Sequence, residues 1–228
     1  MASSACRAIA GATSQAGCKT TSDSYGFQSQ SFSAGIWVRA TSFPNGRNGL
    51  MGTDNGSNGW ALSITSGSKP RFSVAGVGNS DMTNSVSTAT WYFIAVTKVS
   101  ASTNIMYVIT TAGAVTSETV TARTVNANTG DFYLGAVGST ASTSTNGNIC
   151  HAQVWNRVLT QNELLNAAFA PGSVTNGLLS YWPLYGQTSP EIDLGNLNTQ
   201  LTVNTGATAT STNSPFVQVP YQGPMMMG

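Results

Sequence analysis

Trp91–Val99 reads WYFIAVTKV, and beyond Ser100–Thr103 the stretch Asn104–Thr110 reads NIMYVIT. The first run starts apolar on both faces and is rich in β-branched and aromatic residues. That is the pattern of a strand buried on both sides, not of an amphipathic helix. Working outward, the same period of two recurs. Ser31–Ala40 places Phe32, Ala34, Ile36 and Val38 on one face, and Trp60–Thr65 alternates Trp60, Leu62 and Ile64 with Ala61, Ser63 and Thr65. Arg71–Val77, Glu118–Val125, Asp131–Val137 and Asn148–Trp155 continue the series. Between the runs stand Pro44-Asn45-Gly46, Asn55-Gly56, Asn58-Gly59, Ser66-Gly67 and Asn146-Gly147, pairs that reach positive φ at little cost. Short strands at this spacing predict a sandwich or barrel.

One segment breaks the pattern. Thr160-Gln161-Asn162-Glu163 is a capping box, flanked by Leu159 and Leu164 as a hydrophobic staple. Leu164, Leu165, Ala168 and Phe169 form one face, and Ala170-Pro171-Gly172 stops the turn. A short helix is expected there, plugging one end of the sandwich. After it, Gly177–Tyr185 and Leu201–Val203 read as strands. Residues 211–228 carry Pro215, Pro220 and Pro224 and end on Met225-Met226-Met227, so they read as an extended arm.

Composition removes several functions. Charged residues make up 7% and the net charge is +1, against about 25% charged in an ordinary domain. The nine Lys and Arg are scattered singly, so no basic groove for nucleic acid is formed. No apolar run reaches membrane-span length, and the N-terminus lacks the apolar core of a signal peptide. Synthesis in the cytosol is the expectation. Three cysteines, Cys6, Cys18 and Cys150, give no disulfide framework. Reduced buried thiols are expected, with a small Cys6–Cys18 loop as the alternative.

The order of motifs carries a resemblance. Phe32 to Trp37, Gly59-Trp60, Trp91–Val96, Tyr107-Val108, Phe132–Gly135, and His151–Leu164 (HAQVWNRVLTQNEL) succeed one another as in the concanavalin A-like superfamily, and within it the laminin-G-like (LamG, pentraxin-like) domain. Gly177–Leu184 and Ser189–Leu194 resemble stand-alone bacterial and phage members. The resemblance covers roughly residues 7–217 and implies an all-β, two-sheet antiparallel jelly-roll sandwich; the domain is expected over residues 1–210, with the arm over 211–228. The fold hosts lectins, adhesion modules, glycosidases and virion proteins, so function must come from a site.

A retaining glycosidase needs two carboxylates about 5–5.5 Å apart. The sole E-x-D here is Glu191-Ile192-Asp193. It follows Pro190 in a loop-like stretch and reads better as a turn that caps backbone donors. The single histidine, His151, adjoins Cys150. On a regular strand the two point to opposite faces and cannot pair as base and nucleophile. No enzyme is expected. Calcium wants six to eight oxygens; Asp54 is its one weak candidate ligand, and otherwise no cofactor is expected. Sugar binding needs exposed aromatics beside amides, for which Trp60, Asn55, Asn58 and Tyr25 are the candidates. Phe216, Val217, Val219, Tyr221, Met225, Met226 and Met227 are the candidates for docking the arm on a neighbouring subunit. The leading expectation is a non-enzymatic decoration or fibre protein of a phage virion, with a capsid or its own copies (a trimer among the options) as partners. A carbohydrate-binding lectin-like module is the alternative, and a degenerate glycosidase the third.

Overall fold

The computed structural model describes residues 6–10, 18–21, 25–28, 30–99, 103–121, 123–126, 130–138, 143–185, 189–204, 207, 210–211 and 214–216. The alternating runs form two antiparallel sheets. The strands are β1 (Cys6–Ile9), β2 (Cys18–Thr21), β3 (Phe32–Ser42), β4 (Asn48–Gly52), β5 (Trp60–Ile64), β6 (Pro70–Val74), β7 (Gly78–Asp81), β8 (Tyr92–Val99), β9 (Thr103–Thr110), β10 (Val115–Val120), β11 (Asp131–Leu134), β12 (Asn146–Trp155), β13 (Leu178–Trp182), β14 (Thr202–Val203) and β15 (Thr210–Ser211). One helix, α1 (Gln161–Phe169), lies between β12 and β13. The eight-stranded sheet runs β10-β9-β8-β3-β12-β1-β15, with β13 also on β12; the seven-stranded sheet runs β14-β2-β11-β4-β5-β6-β7.

The core lies between the sheets. Phe32, Ile36, Ile94 and Val96 from one meet Trp60, Leu62, Phe72 and Phe132 from the other, all fully buried. Each such side chain contributes about 1.5–3 kcal/mol. The strands expected from periodicity are present with shifted ends. The run Arg71–Val77 is strand only to Val74, and Glu118–Val125 is replaced by Val115–Val120. Asn146 and Gly147 are not a turn: they begin β12, where a register shift accommodates Gly147 at φ +149°.

The helix does not plug an end of the sandwich. It lies on the outer face of the eight-stranded sheet and makes a third layer over Trp37, Phe93, Cys150 and Trp155. Trp37 Nε1 donates to the Ala168 carbonyl at 2.8 Å, and Gln153 Nε2 to that of Ala167 at 2.9 Å. The capping box forms as read, with Thr160 N donating to Glu163 Oε2 at 2.8 Å and Glu163 N donating to Thr160 Oγ1 at 3.3 Å. Arg157 grips the same carboxylate at 2.6 Å. These bonds draw the Glu163 carboxyl down to about 2, the Arg157 hydrogen bond first among them.

β12 carries a bulge. Cys150 faces Trp37 and Gln153 faces Gly35, so two residues of β12 oppose one of β3. The extra residue falls where β1, paired along 147–149, hands over to β13, paired along 152–155. His151 sits there at φ +52°. The bulge overrides simple alternation: His151 Nδ1 meets Tyr181 Oη at 2.9 Å, on the same outer layer that holds Cys150.

Candidate functional site

A cleft of about 230 Å³ opens at the seven-stranded sheet, lined by Arg47, Thr53, Asp54, Asn55, Asp131, Tyr133 and their neighbours. Strand alternation explains two of its walls. Phe132 and Leu134 of β11 are core, so Asp131 and Tyr133 stand outward. Pairing of Tyr133 with Gly52 brings them beside the end of β4. Gly52 permits this geometry, since a Cβ there would lie 2.2 Å from the Trp60 carbonyl oxygen.

The loop after β4 supplies the opposite wall. Asn55 Oδ1 accepts from Ser57 N at 3.0 Å and Asn58 N at 2.8 Å, an Asx turn that holds Asn55 at the exposed tip. Asp54 is buried, bonded to Arg47, and accepts from Gly56 N at 2.7 Å. Asp131 Oδ2 meets Lys19 Nζ at 2.9 Å and accepts from Tyr133 Oη at 3.3 Å. The Lys19 amine is pushed up, first by its hydrogen bond to Asp131 and then by that charge. The Tyr133 phenol is pushed up mainly by burial, so it stays a neutral donor. Arg47 Nε is buried with no hydrogen-bond partner among the described residues. The cleft thus offers a phenol ring, two ion-paired carboxylates and hydroxyls. Each of the two acids already has a cation beside it.

The residues expected at a sugar site separate. Asn55 lines the cleft, and Asn58 sits half-buried in the same turn. Trp60 and Tyr25 are not exposed platforms, both being 0% exposed. Trp60 packs its ring 4.8 Å from Phe32 and donates Nε1 to the Tyr25 carbonyl at 2.8 Å. The Tyr25 ring lies tilted against Phe132, centroids 4.5 Å apart, and its hydroxyl bonds Ser180 Oγ at 2.7 Å. The aromatic at the cleft is Tyr133, whose outward direction follows from its alternation with Phe132 and Leu134 in DFYL.

Asp54 is engaged by Arg47 and Gly56, and no group of three His, Cys, Asp or Glu is gathered among the described residues. Glu191 and Asp193 are both buried. Glu191 bonds Arg7 Nε at 2.8 Å and Nη2 at 2.6 Å. Asp193 accepts from the backbone N–H of Tyr181, Gly195 and Thr199 at 2.9, 2.7 and 2.9 Å, the capping role the sequence suggested. Burial pushes the His151 imidazole down to about 4 and the Cys150 thiol up. Both neighbours are therefore neutral, the reverse of a thiolate–imidazolium pair.

Of the docking candidates on the arm, Phe216 is described, and it packs against its own chain. Its ring lies 6.0 Å from Trp37 and 5.2 Å from His151. Val217, Val219, Tyr221, Met225, Met226 and Met227 lie outside the described residues.

This sandwich matches a family model over residues 12–165, and the chain belongs to the concanavalin A-like lectin/glucanases superfamily. Within it the matching model is the Laminin_G_3 domain. No curated protein matches the chain. Solved structures that resemble it include a putative carbohydrate binding protein from Bacteroides ovatus, with TM-score 0.67 and 18% identity over 88% of this chain and 58% of that one. The chain thus spans 58% of that protein's length. A heptameric SAP-like pentraxin from Limulus polyphemus gives TM-score 0.53 at 10% identity, covering 90% of this chain and 97% of that one. Tailspike protein 2 of an Escherichia coli O157:H7 bacteriophage gives 0.51 at 13%, covering 79% and 28%. At these identities the likenesses establish the fold.

Proposed function

We propose that this chain is a non-enzymatic, carbohydrate-binding, lectin-like module whose sugar site is the cleft of Arg47, Asn55, Asp131 and Tyr133. The observation that carries the reading is the outward Tyr133 ring, which lines the cleft together with Arg47, Asn55 and Asp131. The ring would take an apolar sugar face, and the polar lining would meet its hydroxyls. The putative carbohydrate-binding protein of the same fold supports it. Lys19 and Arg47 each offset a carboxylate, so a neutral glycan fits better than a charged one. Binding proceeds without calcium, because Asp54 is already bonded. No hydrolysis accompanies it, because Glu191 and Asp193 are bonded to Arg7 and to backbone amides.

A glycan array with calcium and with EDTA is the test. Binding to neutral glycans unaffected by EDTA, and weakened at least about tenfold by Tyr133→Ala with the melting temperature unchanged, is the expected result. Absence of any glycan signal would refute it.

The likeness to the tailspike, in its full-length and enzymatically active domain structures (TM-scores 0.51 and 0.53), supports a second reading. In it the module sits on a phage virion, attached to a capsid or to copies of itself. A mass spectrum of purified particles that lacks this chain would remove that location while leaving the cleft's role intact.

A further inference from the structure

The strand register places two of the three cysteines face to face. Arg7 pairs with Ile149 and Ala8 with Asn148. One step along this ladder sets Cys6 directly opposite Cys150. Both belong to the layer beneath α1, alongside Trp37 and Trp155. Cys18 is elsewhere: it lies on the other sheet and faces the core between the sheets. The Cys6–Cys18 loop considered from spacing is therefore not the near pair.

Residues directly opposed on antiparallel strands have Cα atoms about 4.5–5.5 Å apart, within the roughly 4.4–6.8 Å a disulfide spans. All three thiols are free and buried.

We propose that Cys6 and Cys150 are a cross-strand disulfide site, reduced when the chain is made and closed when it meets a small disulfide oxidant. In closure, one thiolate attacks the oxidant and expels its first thiol, giving a mixed disulfide. The second cysteine then displaces the remaining half. The two protein thiols lose two protons and two electrons, and the oxidant leaves as two thiols. Cys6 begins β1, a four-residue strand, so local opening of that strand end admits the oxidant. The closed form ties β1 covalently to the centre of the eight-stranded sheet and leaves the cleft on the other sheet untouched.

The full chain is equilibrated in glutathione buffers from fully reduced to fully oxidised, with mild urea added to permit opening. Intact mass, non-reducing peptide maps and melting temperature are read. Loss of two hydrogens, a peptide joining Cys6 to Cys150, and a melting temperature several degrees higher in the oxidised form are expected. Cys18→Ala should retain all three signs, and Cys6→Ser should abolish them. Cys6→Ser alters only the first residue of β1 and so remains informative if Cys150→Ser fails to fold. A bridge to Cys18, or thiols that stay free in oxidised buffer with urea, would overturn the proposal.

Discussion

Replacing Glu191 with alanine removes the carboxylate that holds Arg7. Both side chains lie inside the sandwich, Arg7 at 1% and Glu191 at 4% exposure. Two guanidinium nitrogens bond one carboxylate oxygen, and Nη1 donates to the Ala207 carbonyl. Truncation leaves a cation in a low-dielectric site without that counter-charge, which costs about 3–5 kcal/mol. For a chain of this size each kcal/mol lowers the melting temperature by about 2–4 °C, so the expected fall is roughly 6–20 °C. Urea unfolding followed by circular dichroism measures it, and the midpoint should drop with little change in slope. The double variant Arg7→Met with Glu191→Met should recover most of the loss, because apolar groups of similar volume replace a buried pair at little cost. A loss below about 1 kcal/mol in Glu191→Ala, the range of exposed ion pairs, would refute the argument that this pair is desolvated.

His151 predicts an acid-sensitive fold. Its imidazole is held down to about 4 from 6.5 by burial, so the unfolded chain binds the proton more readily. Stability is complete above about pH 6.5 and falls by about 3 kcal/mol as pH drops through 4. His151→Asn, which tolerates the positive φ, should flatten that slope in pH-dependent urea titrations. Thr160→Ala removes the helix cap and should cost about 1 kcal/mol, seen as a fall of about 2–4 °C with glycan binding unchanged. Trp60→Ala should cost about 3–5 kcal/mol as a core truncation. A variant of unchanged stability that loses only sugar binding would return Trp60 to the surface.

What the sequence made legible is what local chemistry determines. The alternation of Trp60, Leu62 and Ile64 fixes an inward face, and that face is where Trp60 lies. The sugar-shelf expectation set that periodicity aside for the nearby amides. The capping box needs only four consecutive residues, and it formed as read. Asp193 was legible as a turn cap for the same reason. Arg7 and Glu191 stand 184 positions apart, and no period or motif links them. Tyr25 lies outside the strands and is buried because Ser180, 155 positions away, takes its hydroxyl. The outward direction of Tyr133 could be read from DFYL, but its meeting with Arg47 and Asn55 follows from the β4–β11 pairing. The opposite-face argument for Cys150 and His151 failed because one inserted residue in β12 resets the alternation.

The place of β1 in its sheet bears on how the chain matures. The ladder partners of Cys6–Ile9 are residues 147–149 on one side and Thr210–Ser211 on the other, all made long after it. At about 5–20 residues per second of synthesis, β1 waits roughly 7–30 s for a strand neighbour. The sheet's centre, β3 with β8 and β9, has its pairing segments in hand well before then. β1 is therefore among the last strands of its sheet to dock, and a nascent chain stalled before residue 147 would expose an orphan β1.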